Sequence, residues 1–137
     1  MAYRVLIDEA VNCVFVQHYD TYEAGEGNEQ LDTLLEEPAY KVGMDILRDI
    51  TQVSLPDAYD LDWFRSSSVV GKHAEGLGRG RRVAWVVGNA HDFKIIHQWC
   101  AVERLNVHLA ARLPFIDINR AMKWLGIPEG YVISYPE

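Results

Sequence analysis

The chain has 137 residues, of which 49% are hydrophobic and 24% charged, and a formal net charge of −7. This length is typical of one domain and this composition of a globular protein, so a fibrous or disordered chain is excluded. No apolar run reaches the roughly 18 residues of a membrane helix, and acidic residues follow the start too soon for a signal peptide. The sequence predicts one cytoplasmic domain over residues 1–137, with residues 127–137 as a tail.

Acidic side chains are concentrated in the first part of the chain. Residues 1–62 hold fourteen acidic and three basic side chains, whereas the remainder is net positive. An acidic chain repels nucleic acid, because phosphate contacts supply most of that affinity. Such asymmetry can instead guide one copy onto another, although it is also typical of two solvated surfaces.

The first half of the chain predicts a β-hairpin, a helix and a third strand. Residues 3–8 and 13–18 have strand patterns on either side of a short turn, and residues 42–50 form the next strand. Asp20 and Glu23 resemble a capping box that starts the intervening helix, with a later start left open by two glycines. The leucines expected to face inward are Leu31, Leu34 and Leu35.

The second half predicts helices that alternate with strands. Asp57 is a candidate N-cap for a helix that buries Phe64, and residues 83–87 form an apolar run typical of a central strand. Asn89 is expected to cap the next helix, with Asp92 at its third position. Residues 109–116 give a last strand before the final helix. Asp117 is expected to cap that helix and Gly126 to end it. Its apolar stripe consists of Ile118, Ala121, Met122 and Leu125.

The predicted order is β-β-α-β-α-β-α-β-α in a single α/β domain. Strands that alternate with helices indicate right-handed crossovers and a mixed, mostly parallel sheet with helices on both faces.

Three segments are similar to conserved patterns of STAS domains, the fold of bacterial anti-sigma-factor antagonists. Residues 46–51 resemble the third strand of that family, residues 83–88 its fourth strand, and residues 115–126 its final strand and helix. The chain most resembles the SpoIIAA-like branch. The resemblance implies a non-enzymatic module that binds a partner protein or a second copy of itself.

The chain departs from this family at the residue on which regulation depends. Antagonist domains carry a serine that caps a helix and is phosphorylated by a partner kinase, and Ala58 stands at that position. The resemblance therefore implies a module without the usual phospho-switch. Ser54 and Tyr59 lie nearby, and their modification is left open. The predicted partner-binding residues are Asp57, Ala58, Tyr59, Asp60 and Trp63.

Polar residues follow several predicted strands, where ligands bind in open α/β sheets. The edge of the sheet where these strands end would bring together His18, Asp57, Asn89 and His91. His91 with Asp57 or Asp60 could perform acid–base catalysis there. Capping explains most of these residues equally well. Catalysis requires His91 to lie within hydrogen-bonding reach of one of the two carboxylates.

The sequence predicts neither a cofactor nor a metal site. The acidic row at Glu23, Glu26, Glu29 and Asp32 runs along one helix and does not converge, and His97 with Cys100 supplies only two ligands. Residues 71–82 are expected to form a surface loop whose alternative role is docking an anionic partner. The predicted ligand or anion contacts are Asn89, His91, Arg79 and Arg81.

Two features leave alternatives open. The tail at residues 131–135 either folds over the core or adds to the sheet edge of a second copy. The SpoIIAA-like branch is also associated by name with lipid transfer, and four Trp and seven Tyr could line a cavity. A carrier of a small lipid or anion is therefore the alternative function, although aromatic residues more often fill a core.

Overall fold

The computed structural model of the chain describes residues 2–23, 26–59, 77–78, 81–103 and 110–136. These ranges form an α/β fold, as the sequence predicts. The strands are β1 (Tyr3–Asp8), β2 (Cys13–His18), β3 (Asp45–Asp49), β4 (Arg81–Val86) and β5 (Ala110–Phe115). The helices are α1 (Glu26–Leu35), α2 (Ala90–Glu103) and α3 (Ile118–Trp124). None of the helices in these ranges has the length and apolar character that a membrane crossing requires.

The five strands lie side by side in chain order. β1 pairs antiparallel with β2, with Val5 opposite Val16, and every later pair is parallel. The predicted mixed, mostly parallel sheet is confirmed. Because β2 to β5 run in the same direction, the segments that follow them meet at one edge of the sheet.

The core lies on both faces of the sheet. On one face, side chains such as Val14 and Ile46 pack with Leu34 of α1, and Ile96 of α2 joins an adjoining cluster. On the other face, Phe15 and Leu47 pack with α3. This packing confirms the predicted helices on both faces of the sheet. Each fully buried aliphatic or aromatic side chain contributes about 1.5–3 kcal/mol to the free energy of folding relative to an exposed one.

The start of α1 differs from the prediction. The helix begins at Glu26, and Asp20 lies six residues earlier with a left-handed φ of +60°, so Asp20 does not cap it. Leu34 is buried as expected, but Leu35 is 38% exposed. The later start is the alternative that the two glycines left open, and Glu26 makes a tertiary contact that is described below.

The predicted caps of the other two helices are confirmed. The Asn89 Oδ1 accepts a hydrogen bond from the Asp92 amide at 2.8 Å, and the Asp117 Oδ1 accepts one from the Asn119 amide at 2.8 Å. Gly126 ends α3 with a φ of +76°, a conformation in which glycine has no steric penalty.

The C-terminal tail folds back over the core, so the first of the two alternatives is confirmed. The Tyr131 ring stacks on Phe15 with centroids 5.5 Å apart, and its hydroxyl donates a hydrogen bond to Asp8 Oδ2 at 2.5 Å. Ile133 and Tyr135 pack against the same cluster. This contact covers the sheet face opposite α1 and α2.

The predicted loop at residues 71–82 ends earlier than expected. Arg81 and Arg82 belong to β4, where they pair with Ala110 and Ala111. Arg81 is buried and donates to the Gly78 carbonyl at 2.7 Å, so it does not project from a docking loop. Residues 71–76 and Arg79 lie outside the described residues.

Candidate functional site

A turn at residues 56–59, which we call the 56–59 turn, lies at the edge of the sheet where the parallel strands end. The Tyr59 amide donates to the Pro56 carbonyl at 2.9 Å. Two buried aromatic residues hold the same turn from below: Tyr59 Oη donates to the Tyr22 carbonyl at 2.9 Å, and Trp99 Nε1 donates to the Tyr59 carbonyl at 3.1 Å. Asp57 and Ala58 are exposed at its tip. The core therefore fixes a turn whose tip faces solvent.

His91, in the first turn of α2, lies between two carboxylates. Its Nε2 contacts Asp57 Oδ1, and its Nδ1 lies 2.9 Å from Asp92 Oδ1. The geometric requirement set for catalysis is thus met for Asp57. The side chains of His91 and Asp57 are 49% and 94% exposed, whereas that of Asp92 is fully buried.

Asp92 ties His91 to the loop that follows β3. Its Oδ1 also accepts a hydrogen bond from the Leu55 amide at 3.3 Å, and its Oδ2 lies 3.5 Å from Asn89 Nδ2. Asp92 therefore joins the helix start, the imidazole and the β3 loop. The predicted ligand contact Asn89 acts here as a cap.

The partners of His91 determine its protonation. Ionised carboxylates can only accept hydrogen bonds, so both ring nitrogens must carry a proton for both contacts to form. The hydrogen bonds to Asp57 and then to Asp92 raise the pKa of His91 above its ordinary 6.5. The two carboxylates therefore favour the protonated ring of His91 over the neutral ring.

This arrangement of His91, Asp57 and Asp92 is compatible with two kinds of function. A histidine oriented by a buried carboxylate can transfer protons to or from a ligand. A fixed, charged turn can equally serve as a contact surface for another protein. No group of three or more His, Cys, Asp or Glu side chains in the described ranges is placed to hold a metal ion.

The structure brings together only part of the predicted partner-binding set. Asp57, Ala58 and Tyr59 share the 56–59 turn, and Ser54 is exposed just before it. Asp60 and Trp63 lie outside the described residues.

A second polar cluster, which the sequence analysis missed, is buried below this edge. It consists of His18, Glu26, Gln30 and Arg48, each at most 4% exposed. His18 Nδ1 contacts Glu26 Oε2, Arg48 Nη1 lies 3.1 Å from His18 Nε2, and Arg48 Nη2 donates to Gln30 Oε1 at 2.7 Å. The Arg48 guanidinium also lies over the Trp85 ring, 5.5 Å from its centroid.

The arginine fixes the protonation of His18. A guanidinium can only donate, so Nε2 must accept from Arg48 and the single proton of a neutral ring lies on Nδ1, facing Glu26. Burial is the main cause that lowers the pKa of His18 below 6.5, and the Glu26 hydrogen bond opposes it. The neutral ring thus links a buried cation to a buried anion.

A signal for this cluster is present in the sequence. Arg48 and Asp49 are the charged residues of segment 46–50, whose other three residues are apolar, and a charge in a buried strand requires a partner. Glu26 and Gln30 are four residues apart on one helix face. Joining them to His18 required the tertiary fold.

Five aromatic residues that the structure describes pack against one another, and Trp63 lies outside the described residues. Tyr22, Trp85 and Trp99 pack against one another with ring centroids 5.9–6.4 Å apart, and Trp124 packs against Phe115. These side chains fill the core instead of lining a cavity.

The two cysteines are buried. Desolvation is the main cause that raises the pKa of Cys13 to about 12, and Cys100 is 1% exposed. His97 is exposed, whereas Cys100 lies in the core. A comparison of the chain with protein-family models, curated proteins and solved structures finds no match in any of the three.

Proposed function

We propose that the chain is a non-enzymatic, STAS-like module that binds a partner protein through the 56–59 turn and the adjacent His91. The observation that carries this proposal is the support of the turn by Tyr22 and Trp99, which leaves Asp57 and Ala58 exposed. Rigid contact residues favour binding, because less conformational entropy is lost when the complex forms.

Charge indicates the kind of partner. The chain carries a net charge of −7, and the exposed Asp57 adds a carboxylate at the tip of the turn. A partner surface with Lys or Arg side chains is therefore complementary to it. Association between such surfaces is accelerated by electrostatic attraction and slowed by salt.

Binding at this turn would not be controlled by phosphorylation of residue 58. Ala58 has no hydroxyl group, in contrast to the serine of the antagonist domains that the chain resembles. Modification of Tyr59 would remove the hydrogen bond that its hydroxyl donates to the Tyr22 carbonyl. Because Ala58 cannot be phosphorylated, we expect binding that does not depend on the phosphorylation switch of the antagonist domains.

The test compares capture of proteins from the host lysate by three forms of the full chain. Asp57→Lys reverses the charge at the turn, and Glu36→Lys makes the same change at an exposed residue after α1. We expect a protein that binds the wild type and Glu36→Lys to be lost from Asp57→Lys. Equal capture by all three forms, or by none, would contradict the proposal.

The contacts of His91 favour acid–base catalysis as the second candidate function. Asp92 orients the ring, and Nε2 would become available to a ligand if Asp57 turned into solvent. A screen with nitrophenyl esters and phosphates tests this candidate. Turnover that His91→Ala abolishes and the exposed control His97→Ala retains would support an enzyme, whereas turnover unaffected by His91→Ala would remove this candidate.

A further inference from the structure

Strand β1 leaves half of its backbone groups directed away from the sheet. In an antiparallel pair, opposite residues alternate between hydrogen-bonded and non-bonded positions. The Tyr19 amide donates to the Ala2 carbonyl, so even-numbered β1 residues face β2. The Asp45 amide donates to the Asn12 carbonyl, which confirms that even-numbered residues of β2 face β3 instead. The amides and carbonyls of Tyr3, Val5 and Ile7 therefore point outward.

This edge differs from the other edge of the sheet. Within the described ranges β1 pairs with β2 alone, and it contains no proline, whereas β5 carries Pro114. Natural proteins protect edge strands with proline or with charged side chains that obstruct pairing. Arg4 is the basic residue of β1, and its guanidinium lies back over the Tyr19 ring, 4.4 Å from the centroid. Within the described ranges, the outer edge of β1 thus has no proline, and its arginine is held against the neighbouring strand.

The sequence of β1 is complementary to itself when two copies are placed antiparallel. Residues 4–8 read Arg-Val-Leu-Ile-Asp. With Leu6 opposite Leu6, Val5 lies opposite Ile7 and Arg4 opposite Asp8, each pair occurring twice. Apolar pairs and opposite-charge pairs at facing positions stabilise a sheet.

We propose that two copies of this chain form a dimer by antiparallel pairing of β1 with β1, around a two-fold axis at Leu6. The outward groups of Val5 and Ile7 then form four hydrogen bonds across the junction. The axis is perpendicular to the sheet, so each face continues into the same face of the second copy. Tyr3, Val5 and Ile7 already pack on one face and Leu6 on the other, which extends both apolar layers.

This proposal is independent of the 56–59 turn, because β1 lies at a lateral edge and uses different residues. Its register makes a specific prediction for amide exchange. The amides of Leu6 and Asp8 face β2 and should be protected at every protein concentration. Those of Val5 and Ile7 should be protected only when the dimer forms.

The first experiment measures mass by analytical ultracentrifugation over a range of protein concentrations. We expect a reversible dimer, with site-resolved amide exchange showing concentration-dependent protection at Val5 and Ile7. A monomer at every concentration, or a dimer without that protection, would overturn the proposal.

Two variants test the register. Arg4→Glu places like charges opposite each other twice, and it should weaken the dimer by about tenfold or more. Arg120→Glu makes the same charge change at an exposed residue of α3 and should leave the dimer unchanged. Val5→Pro removes an outward amide without removing a donor of the β1–β2 ladder, and it should abolish the dimer. A dimer of unchanged strength in folded Arg4→Glu and Val5→Pro would overturn the proposed pairing.

Discussion

The buried cluster of His18, Glu26 and Arg48 predicts strong energetic coupling between residues that do not touch directly. Glu26→Gln would leave the Arg48 guanidinium buried without its linked anion, and Arg48→Met would leave the Glu26 carboxylate buried without its cation. Removing one partner of a buried charge pair costs about 3–5 kcal/mol. A domain is stabilised by only about 5–15 kcal/mol, so either change is a large fraction of the total.

The double variant should be much less damaging than the sum of the two changes. With both charges removed, the main remaining costs are the unpaired Nε2 of His18 and the unpaired Oε1 of Gln30, about 1–3 kcal/mol each, together with the lost contact over Trp85. We expect Glu26→Gln/Arg48→Met to cost about 3–5 kcal/mol, whereas additivity would give about 6–10 kcal/mol.

Urea unfolding followed by tryptophan fluorescence measures these free energies, because Trp85 and Trp99 report on the core. Glu29→Gln changes an exposed residue of the same helix and should alter stability by less than about 0.5 kcal/mol. Additive costs, or a loss below about 1 kcal/mol for Arg48→Met, would refute the proposed linkage through the histidine.

Three further predictions concern titration and reactivity. The NMR signals of His18 should show a neutral ring protonated on Nδ1, with a pKa below 6.5. The unfolded state then binds a proton at this histidine more tightly than the folded state does. His18 should therefore lower the free energy of unfolding as the pH falls below 6.5. His91 should titrate above 6.5 and contribute stability that is present below pH 6.5 and lost as the pH rises through its raised pKa, and Asp57→Asn should bring that pKa closer to 6.5. Cys13 should not react with a thiol reagent at pH 8 until the chain is unfolded by urea, because burial raises its pKa to about 12.

Elements encoded by local patterns could be predicted from the sequence. The apolar run at residues 83–87 predicted β4, and the Asp117 cap with its apolar stripe predicted α3. For the start of α1, local patterns left two positions open, the capping box at Asp20 and a later start allowed by two glycines, and the later one is correct. A capping box at Asp20 is a local signal, but the contact between Glu26 and His18 lies in the core and accompanies a later start.

The candidate site could be predicted only in part, because its residues are brought together by tertiary contacts. Asp57 and His91 were each identified from their positions after strands, and their approach is a tertiary result. The charge of Arg48 in a buried strand indicates a partner, but only the fold shows that this partner is His18, which in turn contacts Glu26. The partner-binding function and the STAS resemblance remain predictions.

The packing of the tail on Phe15 has a consequence for synthesis of the chain. β1 and β2 leave the ribosome before α3 and Tyr131, which cover one face of their sheet. Because nascent chains grow from the N-terminus, that apolar face stays uncovered until residues 118–131 have been made. Ribosome-bound chains that stop before residue 110 should therefore be held by chaperones that recognise exposed apolar surface, and release should require residues 118–131.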